Sequence, residues 1–349
     1  MSDRPAPPAV PRSQRVPRTR TPAASVLLTL LALVTLVACS RASAESVRVT
    51  GPEPTAIAGA AAAAPAVPAA PPPVLPLPSA PAPRQIVAVQ PPTIGADAAV
   101  VIDDASGAVL FDLGAHRRLP PASLTKIATA AIAIDRARLD EMVTVDIDYD
   151  EPNLDDASVM GLRKGDRFRL RDLLYGMMLP SGADAAIAVG RAVSGSDEVF
   201  VRDLNAFMVS IGLHESHFLD PHGLGGPTHL SSAYDIAMLS RYAMRQTAFA
   251  DIVHQRVWEA VGSRTITVYN SNEWEFDYEG GDGVKTGYTE EAGATLSASA
   301  TRAGHRVFVT ILNSDSRARD TTVLMDWAFQ TFCWGDGQLG CSTDAAAAR

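Results

Sequence analysis

The sequence predicts an α/β protein in which one antiparallel sheet, built from both ends of the folded region, is flanked by helices and carries an inserted all-helical lobe. Three observations support this. Apolar strand patterns occur near the start of the region (Val100 to Asp112) and near its end (Arg264 to Leu312). Helical patterning fills the middle, from Ser123 to Met244. A last helical stretch, Arg319 to Phe332, follows the strands.

The residues ahead of this region are of another kind. Arg4, Arg12, Arg15, Arg18 and Arg20 precede an apolar run from Ala23 to Ala38, the layout of an export signal over residues 1–38 and short for a membrane span. Leu36-Val37-Ala38-Cys39 resembles a bacterial lipobox, so Cys39 is the expected lipidation site and the new N-terminus; Ala42-Ser43-Ala44 offers an ordinary cleavage site instead. Residues 39–95, rich in Ala and Pro, read as an extended tether. The expected location is outside the cytoplasm, in the cell envelope, with the membrane reached through the N-terminal lipid. The 349-residue chain carries a formal charge of −9, and loss of residues 1–38, with five arginines and one aspartate, would leave −13. Such an acidic body argues against nucleic acid as a partner. With Cys39 lipidated, Cys333 and Cys341 remain as a pair that could close a small loop; neither their count nor their spacing suggests a metal site.

The folded domain is expected over residues 96–332, with a short tail over 333–349. Val100 to Asp104 and Ala108 to Asp112, around Ala105-Ser106-Gly107, form a hairpin. Ser123-Leu124-Thr125-Lys126 runs into the alanine-rich stretch Ile127 to Ile134, a buried helix with Ser123 in its first turn. Asp146 to Ser158 reads as a surface loop, and Phe168-Arg169-Leu170 opens a helical stretch continuing from Asp172 to Met178. Pro180 to Asp184 interrupts it; Ala185 to Val193 and Asp197 to Leu213 are helical again. His214, His217, His222 and His229 lie among Gly and Pro without a carboxylate or cysteine at metal-ligand spacing. Ser231 to Asp235 leads into a helix through Met244, with a serine cap. Arg264 to Tyr269 is β-like, Gly280 to Gly283 a turn, and Ala292 to Ala300 and His305 to Leu312 two strands joined at Ala303-Gly304.

Three stretches suggest chemistry. Ser123 and Lys126, three apart on one helical face, can touch, and a lysine in a desolvated, cation-rich pocket can take the proton of a serine hydroxyl. A helix N-terminus adds backbone N–H groups where negative charge develops on a substrate oxygen. Pro180-Ser181-Gly182-Ala183-Asp184 is a small-residue break where a backbone can approach a ligand. Gly283-Val284-Lys285-Thr286-Gly287-Tyr288 reads as an edge strand with a glycine where a side chain would obstruct a bound backbone.

In order and spacing these stretches resemble the S-x-x-K, S-x-N and K-T-G motifs of penicillin-recognising serine enzymes, and among those the low-molecular-mass penicillin-binding proteins that are serine D-alanyl-D-alanine carboxypeptidases. Pro121 to Thr129, Gly165 to Ala186, Asn205 to Asp235 with Asp220-Pro221-His222-Gly223-Leu224, and Asp282 to Arg302 are similar to that family as well. The resemblance implies a β-lactamase/transpeptidase-like fold and removal of the terminal D-alanine from peptidoglycan stem peptides through an acyl-enzyme, with β-lactam antibiotics as acylating inhibitors and no cofactor. It implies Ser123 as nucleophile, Lys126 as general base, Ser181 as proton shuttle, and Lys285 as the lysine that holds Ser181 and raises the local positive potential. Thr286 and Arg317 would bind the substrate carboxylate, Gly287 would leave room for it, and the N–H groups of Ser123 and Tyr288 would form the oxyanion hole. Two lysines in one cleft are expected to depress each other's proton affinity.

Ala183 departs from the pattern, which has asparagine there; alanine supplies neither donor nor acceptor, and a water or a neighbour such as Asp184 is what could partly compensate, although Asp184-Ala185-Ala186 aligns with the family's ordinary framework. This motivates a second expectation, a weakened pseudoenzyme that binds peptidoglycan. A DD-endopeptidase and a β-lactamase are further alternatives. A class A β-lactamase needs a deacylating glutamate in an E-x-x-L-N setting, and Glu198, Glu215, Glu259, Glu273, Glu275 and Glu279 lack that context.

Overall fold

The computed structural model describes residues 80–150, 154 and 157–335. In chain order the elements begin with strands β1 (Arg84–Gln85), β2 (Ala96–Asp103) and β3 (Val109–Leu113), then helix α1 (Thr125–Arg136). A hairpin of β4 (Met142–Thr144) and β5 (Arg167–Arg169) leads into helices α2 (Leu170–Met178), α3 (Ala183–Ser194), α4 (Asp197–Ser210), α5 (Ala233–Ala243) and α6 (Thr247–Val253). Strands β6 (Val257–Val261) and β7 (Thr265–Tyr269), helix α7 (Glu273–Asp277) and strands β8 (Gly281–Thr289), β9 (Gly293–Arg302) and β10 (His305–Ser314) follow. Helix α8 (Arg317–Thr331) and strand β11 (Phe332–Cys333) come last.

The sheet is the expected one. Its order is β3-β2-β10-β9-β8 with every pair antiparallel, so strands from the two ends of the domain meet at β2 and β10, and β8 lies on an edge. The unbroken apolar run of β2 has a physical cause, because both faces of this strand are buried. Ala98, Val100 and Ile102 pack with α1 to α5 in the larger core, whereas Ala99 and Val101 join Leu324, Met325 and Ala328 of α8 in a second core behind the sheet. Ser232 caps α5 by accepting a bond from the Asp235 amide at 3.0 Å, as its position predicts.

Several local expectations change. Arg167–Arg169 is a strand rather than a helix start: Phe168 is buried between two exposed arginines, an alternation too short to read against the helix that follows. The strand β6, which pairs with β7, and the short helices α6 and α7 were not expected. Gly281 to Gly283, expected as a turn, already pairs with β9 through a shift of register. The tether was expected to reach residue 95, yet Arg84–Gln85 pairs with Phe332–Cys333, the Ile86 amide donates to Thr331 O at 2.9 Å, and Trp327 Nε1 donates to Val89 O at 3.3 Å. The Ala/Pro sequence before this stretch also carries aliphatic residues, at Val67, Val74, Leu75 and Leu77, so composition alone does not mark where the pairing begins. Cys333, placed by the sequence in a tail, belongs to β11, is buried and is disulfide-bonded. The export signal, Cys39, most of the tether and Cys341 lie outside the described residues. No helix among the described residues is long and apolar enough to cross a membrane.

Candidate active site

Ser123 sits in a single 3-10 turn, Ala122–Leu124, that feeds directly into α1. The expected contact is present: Lys126 Nζ donates to Ser123 Oγ at 3.0 Å, with a second bond to His222 O at 2.8 Å. Lys126 is otherwise enclosed by the core. Burial pushes its ammonium down to about 7, and the carboxylates of Asp220 and then Asp184 act in the opposite direction. Near neutral pH a large fraction of this lysine is therefore free amine, the state a general base requires.

Ser181 lies in the break between α2 and α3. Only four non-glycine residues among those described have left-handed backbone; Ser181 (φ 69°) and Ala122 (φ 50°), immediately before Ser123, are two of them. Such conformations cost about 1–3 kcal/mol each and persist where surrounding structure enforces them. Ala183 opens α3, its amide held by Ser158 O at 2.8 Å and its methyl facing the cleft. Asp184 cannot compensate for the missing amide, because its carboxylate already accepts bonds from the amides of Met160, Gly161, Leu162 and Ala185, each at 2.8 Å. It serves to fold the Met160–Leu162 loop onto α3.

Strand β8 supplies the opposite wall. A Cβ on Gly287 would lie inside contact distance of Thr295 Oγ1 and 3.0 Å from the Ser123 amide nitrogen, so glycine lets the strand approach the nucleophile turn itself, in addition to any bound backbone. Arg317, at the start of α8, donates from Nη1 to Gly287 O at 2.6 Å and so ties α8 to β8. Lys285 is buried, and its Nζ donates to Thr286 O at 3.0 Å rather than to Ser181, whose hydroxyl has no protein partner among the described residues. Burial, then the charges of Lys126 and Arg317, hold Lys285 well below the usual lysine range. The expected mutual depression of the two lysines thus shows on the Lys285 side, while for Lys126 burial is the cause.

These elements enclose a cleft of about 270 Å³ at the junction of sheet and helical lobe. Ser123, Lys126, Ser181, Thr286, Gly287, Tyr288 and Arg317 all line it; Lys285 does not, and lies beneath the wall. Ser158, Ser271 and Leu224 line it too, though sequence reasoning did not single them out as site residues. Leu224 stood within the Asp220 to Leu224 stretch, whose resemblance was the available signal. Ser158 and Ser271 arrive through backbone bonds, Ser158 to Ala183 and Ser271 to Leu179 O at 3.0 Å, for which the sequence offers no cue. Among the described residues, no carboxylate lines the cleft and no cluster of His, Cys, Asp or Glu is placed to hold a metal ion. The histidine loop is engaged otherwise: His229 Nδ1 accepts from the Leu219 amide, which leaves Nε2–H to donate to Thr125 Oγ1 at 2.8 Å.

Sheet, lobe and cleft together define a class, proteins with a serine–lysine pair at the mouth of a cationic cleft beside an edge strand. Within that class the chain belongs to the D-alanyl-D-alanine carboxypeptidase family, whose sequence pattern matches residues 85–316. It is 35% identical over 257 residues to D-alanyl-D-alanine carboxypeptidase DacD of Salmonella typhimurium, covering 70% of this chain and 65% of that one; the chain thus spans just under two thirds of that relative's length. A D-alanyl-D-alanine carboxypeptidase of Streptomyces sp. strain K15 is 33% identical over 261 residues, with 90% of its length covered. Among solved structures, the Streptomyces K15 DD-transpeptidase superposes with a TM-score of 0.66 at 33% identity, over 69% of this chain and all of that one. Penicillin binding protein 6B from Escherichia coli does so with a TM-score of 0.66 at 32% identity, over 71% and 82%.

Proposed function

We propose that this protein is a serine D-alanyl-D-alanine carboxypeptidase acting on peptidoglycan stem peptides. The observation that carries the proposal is the cleft: a serine bonded to a buried lysine of lowered proton affinity, an arginine at the far wall, and no acid among the described lining residues. Family membership supports it. Ser123 Oγ attacks the carbonyl carbon of the penultimate D-alanine while Lys126 takes its proton; the tetrahedral intermediate, its oxyanion held by the N–H groups of Ser123 and Tyr288, collapses as Ser181 passes a proton to the amine of the departing D-alanine. Thr286 and Arg317 hold the terminal carboxylate, and Lys285 maintains the wall behind them. Water then hydrolyses the ester on Ser123. Penicillins acylate the same serine. None of the glutamates between Ser181 and Lys285 stands in the E-x-x-L-N setting that a class A β-lactamase needs for its deacylating water, which supports a carboxypeptidase instead. We further propose lipid attachment at Cys39 and a place in the cell envelope, on the lipobox resemblance of residues 36–39.

Intact-mass analysis after exposure to a fluorescent penicillin is expected to show an adduct on the wild-type protein and none on Ser123→Ala; no wild-type adduct would sink the covalent mechanism. With a pentapeptide substrate, D-alanine release is expected from the wild type and to rise about ten- to a thousandfold in Ala183→Asn, which restores an amide at the cleft wall. Adduct formation without release above the Ser123→Ala background would instead favour the peptidoglycan-binding alternative raised by Ala183.

The rate of penicillin acylation is expected to have an acid limb centred near pH 7. The reactive form needs Lys126 as free amine, so the rate holds above the lysine's pKa of about 7 and falls roughly tenfold per pH unit below it. Stopped-flow acylation from mildly acidic to mildly alkaline pH tests this, and a flat profile across neutrality would remove Lys126 from the role of base.

A further inference from the structure

The loop from Leu219 to His229 is fastened to the nucleophile turn and the start of α1 at four points. His222 O accepts from Lys126 Nζ at 2.8 Å, Pro221 O accepts from Thr129 Oγ1 at 2.7 Å, His229 Nε2 donates to Thr125 Oγ1 at 2.8 Å, and Gly223 packs directly on Ala122. Thr125 Oγ1 in turn donates to Ala122 O at 2.9 Å, so the imidazole of His229 acts through one hydroxyl on the carbonyl that precedes Ser123.

One side chain shapes this loop from inside. Asp220 Oδ1 accepts from the amides of His222 at 2.8 Å and Gly223 at 2.6 Å, and Oδ2 from that of Leu224 at 3.2 Å. The same carboxylate lies 3.1 Å from His222 Nδ1 and 3.8 Å from His229 Nδ1. Burial holds both rings below the ordinary histidine range, so near neutral pH they are uncharged, and the three amides are what hold the carboxylate ionised within the loop. The charged or titratable groups around Lys126 are then Asp220, His222 and His229 from this loop, Asp184 from α3 and Lys285 from β8. Both carboxylates act on Lys126, Asp220 the more strongly, and Asp220 alone belongs to the loop that holds the lysine's own acceptor.

We infer that Asp220, although it does not line the cleft, is a positioning residue for acylation: it folds the loop that aims Lys126 and the Ser123 turn, and it brings the negative charge of a half-buried carboxylate into the surroundings of that lysine. The inference rests on the proposed roles of Ser123 and Lys126. It separates two effects that a merely structural aspartate would not separate, the rate at which Ser123 is acylated and the pH at which Lys126 titrates.

The chain contains only three lysines, at positions 126, 164 and 285, so protein labelled with 13C at lysine Cε gives three side-chain resonances that single substitutions assign. Asp220→Asn keeps an oxygen for the His222 and Gly223 amides and removes the charge. It is expected to lower the titration midpoint of Lys126 by on the order of one pH unit and to carry the acid limb of penicillin acylation down with it. Asp220→Glu keeps the charge on a longer arm that misplaces the turn; it is expected to slow acylation about ten- to a hundredfold with the midpoint unmoved. Asp220→Ser, which also removes the charge yet leaves an oxygen at the turn, is measured alongside, so that poor folding of one neutral variant leaves the charge effect measurable in the other. A Lys126 midpoint unchanged in the folded neutral variants would overturn the inference. Because the titration needs no turnover, it separates the two claims: a wild-type protein that forms no adduct while Lys126 still shifts refutes the proposed function and leaves the charge effect standing.

Discussion

Lys126→Met is expected to yield a folded protein whose acylation by penicillin is slower by about two to four orders of magnitude, the range contributed by a positioned general base. Methionine matches the length of the lysine stem and suits the apolar surroundings of a side chain that is 2% exposed. Two energetic consequences oppose each other: His222 O loses its donor, costing about 1–3 kcal/mol, while the penalty of holding an ammonium out of water disappears. The thermal midpoint should therefore stay near that of the wild type while the rate collapses. Stopped-flow fluorescence for the rate and circular dichroism for the melt make the comparison. A rate within tenfold of wild type would mean that the proton of Ser123 goes elsewhere, and the acid limb near pH 7 should vanish from whatever activity remains.

Gly223→Ala should damage both stability and rate. Gly223 has φ of 99°, and a Cβ there would lie inside contact distance of Ala122 O and 3.1 Å from the Ser123 nitrogen. Backbone strain of about 1–3 kcal/mol combines with overpacking of about 1–3 kcal/mol, and relief is available only by moving the turn that carries the nucleophile. Urea denaturation should show a loss of about 2–6 kcal/mol on those terms, with acylation down about a hundredfold if the turn moves by 1 Å. Gly304→Ala is the control: φ is 81° at the β9–β10 turn, but nothing lies within 4 Å of the added carbon, so it should cost only about 1–2 kcal/mol and leave the rate alone. Equal losses at the two glycines would show that the crowding at Ala122 is not what makes Gly223 necessary.

The parts of the fold legible in the sequence were those with a long physical period or a doubly buried run. The alanine-rich α1, the apolar β2 and β10, and α8 each extend far enough for burial to leave a pattern. Arg167–Arg169 and Met142–Thr144 were illegible because three residues of alternation resemble chance, and their pairing is settled by a partner more than twenty residues away. Within the site, the order of the three motifs announced Ser123, Lys126, Ser181 and Thr286 to Tyr288, whose meeting in one cleft requires that β8 lie beside the nucleophile turn and that the break between α2 and α3 face both. What stayed hidden was how each group is held. The Asp184 carboxylate might as easily have faced the cleft, and only the tertiary structure turns it onto four amides. Burial of Lys285 beneath the wall, and the use of the histidine loop as a brace for Thr125 and Lys126, depend on contacts between segments roughly a hundred residues or more apart.

The pairing of Arg84–Gln85 with Phe332–Cys333 has a mechanical consequence. Helix α8 begins with Arg317 in the cleft and ends where this pairing begins, and its fifteen residues span about 22 Å. A pull transmitted along the N-terminal segment would first meet the Arg84–Gln85 pairing and then the Ile86 to Thr331 and Trp327 to Val89 bonds, at the opposite end of the helix from the cleft. Were the proposed lipid at Cys39 to hold the N-terminus, load would reach the domain at the end of α8 farthest from the groups that surround Ser123.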